Sequence, residues 1–287
     1  MAEPPGARPP EPRTRGVQRR RWRWPGSLAA GLLLSLAGGF CLGGGGAARA
    51  MAPPQPPAPS LIPLASPEGL GLLLRRATLR ADYGPLSQWL ETQANLAYCG
   101  VASSVVALNS LAVPAPPAAG YGNYRFWTQT NLFMAPAGLR FARPELVARQ
   151  GMDLEQLQGL VGSQGVVAQR YYGADLSLEQ FRLLLRRNLA DPRDRLLVNY
   201  LRSTLGQPGG GHISPLAAYD PGGDRVLILD VARYRYPAVW VPVADLWRSA
   251  RTLDHGSGRS RGLVSLMAIP AAAAPPPAEN PPPPGPS

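Results

Sequence analysis

The chain has 287 residues and a mass of 30.5 kDa, room for one or two domains, yet 34 prolines and 32 glycines are too many for uniform packing. Of the prolines, 22 lie before Glu68 or after Ile269, which leaves about 200 residues of ordinary composition for one core. All 29 basic residues are Arg, eight of them within the first fifty positions, and beyond Ala50 the 21 remaining Arg exceed the acids by five; that scattered excess excludes no soluble class and demands no nucleic-acid partner.

In chain order, Arg19, Arg20, Arg21 and Arg23 precede an apolar run from Ser27 to Leu42, and Ala48-Arg49-Ala50 supplies the small-x-small pattern of a signal-peptidase site. The run is shorter than the roughly 20 residues that cross a bilayer, which favours export to the periplasm, with cleavage after Ala50, over an N-terminal membrane anchor. Membrane contact is then transient. Phe40, before Cys41, is too large for a lipobox, so no lipidation is expected. Residues 51–67 read as a Pro-rich linker, 68–269 as the folded domain and 270–287 as a Pro-rich tail. Removal of 1–50 leaves a single thiol, Cys99, and no intramolecular disulfide.

The segment from Gln93 to Tyr98 is polar and loop-like, and the run from Gly100 to Leu111 is small and apolar, long enough for a buried helix that Pro114 ends. Cys99 therefore falls at a helix start, where unpaired N–H groups and the positive end of the dipole favour a thiolate. Gln93 can fold back beside the sulfur and offer its amide to a developing oxyanion. Asp153 with Gln156, and Ser177 with Gln180, form capping-box patterns ahead of apolar helical stretches. Arg195 to Leu201 reads as a buried strand.

Gly209-Gly210-Gly211 lacks the Lys and Ser/Thr of a phosphate loop, so these glycines more simply let backbone approach a substrate. His212 then opens a strand that runs to Tyr219, the turn Asp220-Pro221-Gly222-Gly223-Asp224 follows, and the chain returns through Arg225 to Val231. In this hairpin, facing positions should total 443 or 444, which puts Asp230 within a step or two of His212. An acid there can orient an imidazole that serves as base to a cysteine nucleophile. His255, between Asp254 and Gly256, reads as exposed. One thiol and two distant histidines do not make a zinc site.

Three blocks, Gln93-Ala94-Asn95-Leu96-Ala97-Tyr98-Cys99-Gly100-Val101-Ala102-Ser103, Gly209-Gly210-Gly211-His212-Ile213-Ser214-Pro215 and Leu229-Asp230-Val231-Ala232-Arg233-Tyr234-Arg235-Tyr236-Pro237, resemble the signature blocks of the phytochelatin synthase family. The likeness runs from about Ser66 to Ser265. It implies an α+β domain of the papain-like cysteine peptidase superfamily, with a helical part carrying the nucleophile packed on an antiparallel sheet carrying His and Asp. It makes Cys99 the nucleophile, His212 the general base and acid, Asp230 the orienting acid and Gln93 the oxyanion donor. It also places γ-glutamyl recognition on Arg233, Asp254 and Arg261, with Tyr98 lining the pocket.

The reaction the resemblance implies is acyl transfer from glutathione: Cys99 takes the γ-glutamylcysteinyl group with loss of glycine, and water or a second glutathione then accepts it. No tightly bound cofactor is implied; cadmium or zinc enters as a metal–glutathione thiolate substrate. A homodimer is a compatible assembly. Plant members carry a further Cys-rich region linked to metal response, whereas the tail here has no thiol, as in the short bacterial-type members that chiefly hydrolyse glutathione. Two other readings stand beside this one: a papain-like peptidase acting on other peptide or isopeptide bonds, and a non-catalytic exported binding protein.

Overall fold

Residue 58 and residues 60–269 are described by the computed structural model. The expected export signal, its cleavage site, most of the Pro-rich linker and the tail from residue 270 lie outside the described residues. In chain order the elements are β1 (Ile62–Pro63), α1 (Pro67–Leu74), α2 (Tyr83–Trp89), α3 (Cys99–Ser110), α4 (Pro136–Leu139), α5 (Pro144–Gln150), α6 (Leu154–Gly162) and β2 (Val166–Tyr172). After these come α7 (Leu178–Asn188), β3 (Asp194–Leu201), the hairpin of β4 (Gly211–Asp220) and β5 (Arg225–Ile228), then β6 (Val239–Pro242) and α8 (Val243–Ala250). A small hairpin of β7 (Leu253–Asp254) and β8 (Arg259–Ser260) leads into β9 (Gly262–Ala268).

Seven strands form one antiparallel sheet in the order β1-β6-β5-β4-β3-β9-β2. Side chains alternate across β3, as a strand's period of two requires. Leu197 packs with Val101, Val105, Leu157 and Leu160 from α3 and α6. Leu196 and Val198 pack with Phe181, Leu185 and Leu246 from α7 and α8. Helices therefore cover both faces, giving the expected α+β architecture. Both capping boxes form: Asp153 and Ser177 accept from the backbone N–H of Gln156 and Gln180, whose side chains reach back.

Three expectations change. Leu61 and Ile62 are buried and Ile62 pairs with Trp240, so the folded body begins inside the segment expected to be linker. Pro63 is tolerated there because β1 is an edge strand that needs no donor on its open side. Helix α3 stops at Ser110, four residues before Pro114. Ala112, at φ +53°, takes the left-handed position of a Schellman turn, in which its N–H donates to Asn109 and that of Val113 to Leu108. Finally, Asp220 faces Arg225, one residue off the expected register; a bulge between Leu216 and Ala218 restores it, so that Leu216 faces Ile228.

Candidate active site

Cys99 is the first residue of α3, and every residue from Gly100 to Asn109 is buried. The helix enters the core so closely that a Cβ on Gly100 would stand 2.8 Å from the Met152 side chain and 3.2 Å from Ile213. The Ser103 hydroxyl donates to the Ile213 carbonyl at 3.0 Å, pinning α3 against β4 one residue beyond His212. This brings the sulfur and the imidazole to the same cavity wall. Burial works against ionising the Cys99 thiol, but the His212 hydrogen bond and charge, with the N–H groups of Ile213 and Gly100, hold it below the ordinary thiol value.

His212 is buried on β4 opposite Tyr200 of β3, whose ring meets it edge-on at 5.7 Å. Its Nε2 stands 2.9 Å from Oδ1 of Asp230 and 3.0 Å from the Ser214 hydroxyl. An ionised carboxylate can only accept, so Nε2 carries the proton and the imidazole's other nitrogen is left for the sulfur. Burial opposes the imidazolium; the Asp230 charge and hydrogen bond outweigh it and raise His212 above its usual range, while Arg202 pulls the other way. Both shifts favour the thiolate–imidazolium form of the pair.

Asp230 lies two residues past β5, held there because the Leu229 N–H still donates to Pro215 on β4. Both carboxylate oxygens are filled. Oδ1 accepts from His212, from Nη2 of Arg202 at 3.0 Å and from the Ala232 N–H at 2.8 Å, while Oδ2 sits 2.8 Å from Nη1 of Arg202 and 3.5 Å from the Tyr200 hydroxyl. Burial would raise this carboxyl, but His212 and Arg202 push it far below the usual carboxylate range. Arg202 is itself fixed by Gln207, whose Oε1 accepts at 2.9 Å, and by the Tyr236 ring 4.4 Å beneath the guanidinium.

Cys99 and His212 open onto a cavity of about 340 Å³ whose far wall carries Asn199, Asp254 and Arg261. Nη1 of Arg261 donates to Asp254 at 2.8 Å and to Asn199 at 3.4 Å, and its buried Nε has no partner among the described residues. The Asp254 carboxylate also faces the Asn199 amide at 3.4 Å. Gly211 makes room for this cluster, since a Cβ there would lie 2.7 Å from Nη1 of Arg261. The glycine run therefore admits an arginine, where the sequence suggested a close approach of backbone to substrate.

The other expected site residues lie elsewhere. Gln93 is buried and tied to the Asp230 loop through its N–H on Val231, but its amide donates to the Asn95 carbonyl at 2.8 Å and the Tyr234 hydroxyl at 3.2 Å and does not line the cavity. Tyr98 does not line it either: its ring packs 6.1 Å from Phe133 on the core side of α3. Arg233 is exposed and donates to Leu90, apart from Asp254 and Arg261, because the turn after Asp230 swings it outward. His255 is exposed, as expected. Arg202, Gln207, Ser214 and Asn199 escaped the sequence reading. Only the alternation of β3, which puts Asn199 near its end, and the spacing of Ser214 two residues from His212 could have marked them.

Among the described residues no group of three His, Cys, Asp or Glu is placed to hold a metal, and no helix is long and apolar enough to cross a membrane. A family model described as phytochelatin synthase matches residues 54–263. A Lotus japonicus protein, glutathione gamma-glutamylcysteinyltransferase 3, is 32% identical over 219 residues, covering 75% of this chain and 44% of its own. Arabidopsis thaliana glutathione gamma-glutamylcysteinyltransferase 2 is 30% identical over 210 residues, covering 72% and 44%. A Schizosaccharomyces pombe glutathione gamma-glutamylcysteinyltransferase is 31% identical over 191 residues, covering 66% and 44%. The chain thus spans less than half the length of these curated relatives.

Proposed function

The chain belongs to the phytochelatin synthase family, and from that premise we propose that it transfers the γ-glutamylcysteinyl group of glutathione through a thioester on Cys99. The thiolate attacks the carbonyl carbon of the Cys–Gly amide, and the carbonyl oxygen takes up negative charge. As the C–N bond breaks, the His212 imidazolium gives its proton to the departing nitrogen of glycine. The imidazole then takes a proton from water, giving γ-glutamylcysteine, or from the amine of a second glutathione, giving phytochelatin. The observation that carries this reading is the single cavity in which Cys99 and His212 face Asp254 and Arg261.

A γ-glutamyl end carries a carboxylate and an ammonium, and the Arg261 guanidinium and the Asp254 carboxylate that line the cavity have the matching charges. The N–H groups at the start of α3 supply one source of oxyanion stabilisation. Gln93 would supply the second after exchanging its bond with Tyr234 for one to the oxyanion. The nucleophile at a helix start, packed on the antiparallel sheet that carries His212 and precedes Asp230, supports a papain-like fold. Cadmium or zinc enters this scheme as part of a thiolate substrate, blocking the thiol of glutathione. Export with cleavage after Ala50 belongs to the same proposal and is checked by N-terminal sequencing of the secreted chain.

The test is incubation with glutathione, with and without cadmium or zinc, followed by mass separation of glycine, γ-glutamylcysteine and longer thiol peptides. Wild type should release glycine and Cys99→Ser none. Cleavage of peptide or isopeptide substrates with glutathione untouched would overturn the substrate assignment while leaving the nucleophile in place.

A further inference from the structure

A second hollow lies at the other end of α3. It has a volume of about 960 Å³ and runs between α2 and the chain after Ser110, with Pro85, Trp89, Ala112, Pro114, Arg125 and Phe126 in its walls. Trp89 lies 6.2 Å from Phe126, and Tyr121 stands edge-on to the same ring at 4.9 Å. Trp89 and Tyr121 are both exposed. Three adjacent rings with prolines beside them make the kind of surface that receives a polyproline helix, whose preformed backbone loses little entropy on docking.

We propose that this groove receives the chain's own Pro-rich segment, residues 275–284. The sequence there is Pro-Pro-Pro-Ala-Glu-Asn-Pro-Pro-Pro-Pro, with Glu279 as its one charge. The groove's charge is Arg125, exposed and bonded only weakly, at 3.4 Å, to the Ala115 carbonyl. The described chain also leaves the fold at this end. Ala268 of β9 donates to the Arg193 carbonyl, and Arg195, two residues on, reaches across to the hydroxyl and carbonyl of Ser110 in the groove's wall. Two strand residues and one arginine side chain amount to about 15 Å, and six residues separate Ala268 from Pro275, a contour length of about 20 Å. The other Pro-rich stretch meets the fold elsewhere. Ala58 lies against Gly206, beyond the far end of β3.

A short tether supplies an effective concentration of about 1 mM, so a segment with an affinity of only about 0.1 mM would be docked about nine-tenths of the time. The readout is cleavage of the native full-length chain after Glu279 by a glutamate-specific protease, followed by the mass of the released 280–287 fragment. The reference is a free peptide of residues 270–287. Docking should slow the cut about tenfold relative to the free peptide, and both Trp89→Ala and Arg125→Glu should restore the free rate. Arg125 is an exposed charge, so its variant remains informative if loss of Trp89 disturbs folding. Equal rates in chain and peptide, or protection that survives Arg125→Glu, would overturn the proposal. So would protection that fades on dilution, which would put the tail in the groove of a second copy.

Discussion

Two buried Arg–Asp pairs bracket β3, and they behave in opposite ways. Beyond its end, Arg202 meets Asp230 with two nitrogens on two oxygens, and His212, Ala232 and Tyr200 supply the remaining donors. At its start, Arg195 meets Asp82 through one contact of 3.0 Å from Nη1, which also donates to the carbonyls of Pro192 and Asp194, and spends Nε and Nη2 on Ser110. Oδ2 of Asp82 has no hydrogen-bond partner among the described residues. Burial therefore prevails at Asp82 and, helped by the nearby charges of Asp194 and Asp191, pushes its carboxyl up to about 8 against the pull of Arg195. Asp230 is as deeply buried and is pushed down instead. The number of donors on a carboxylate, more than its depth, decides whether it stays charged, and donors are concentrated at the end that carries His212.

The largest effect expected from this contrast is at Asp230. Asp230→Asn keeps the shape but presents an N–H or a neutral oxygen to His212, freeing the imidazole to take the wrong tautomer. Glycine release from glutathione should fall by about four orders of magnitude, the scale seen when a triad's acid is amidated. A far-ultraviolet spectrum unchanged from wild type would separate this from unfolding. Arg202 does not line the cavity and acts on His212 through Asp230, which makes it a positioning residue. Arg202→Met should lower kcat about 10- to 100-fold with little change in KM. Because Arg202 holds His212 down, its removal should also move the alkaline limb of the pH–rate profile to higher pH. A profile that drops in height without moving would assign Arg202 a purely structural part.

A third arginine extends the comparison and shows what the sequence could reveal. Arg233 and Arg261 look alike in a chain with 29 arginines, and family likeness points to both. Only the fold separates them, burying Arg261 against Asp254 and turning Arg233 out to Leu90. Arg261→Ala should raise KM for glutathione about 10- to 100-fold, the worth of a charge-assisted hydrogen bond, and Arg233→Ala should leave it unchanged; steady-state kinetics at varied glutathione decides. Cys99, His212 and Asp230 were legible because a helix start, a hairpin and a turn are local signals that fix their neighbours. Arg202 was hidden because its partner lies 28 residues away across a sheet, and no periodicity records that. The direction of the Tyr98 ring and the resting partner of the Gln93 amide were hidden for a related reason. A loop residue's side-chain direction depends on what packs against it, here Phe133 and Tyr234.

The smallest expected effect belongs to the uncharged end of the comparison and is read as stability. Asp82 titrates near 3.8 when unfolded and near 8 when folded, so between those values the folded state holds the extra proton. Its favourable contribution is complete below the unfolded value and drains away as pH rises through the folded one. Thermal melts of wild type should therefore show Tm falling from pH 5 to pH 8.5. Asp82→Asn, which is nearly the same shape as the protonated acid and never ionises, should flatten that fall, at about 2–4 °C per kcal/mol for a domain of this size. The two melts should converge only toward pH 3.8 and separate as pH rises, with Asp82→Asn melting higher. If Asp82→Asn instead lowers Tm equally at both ends of the range, the carboxylate is charged throughout and Arg195 holds it as firmly as Arg202 holds Asp230; the two ends of β3 would then differ in geometry but not in charge.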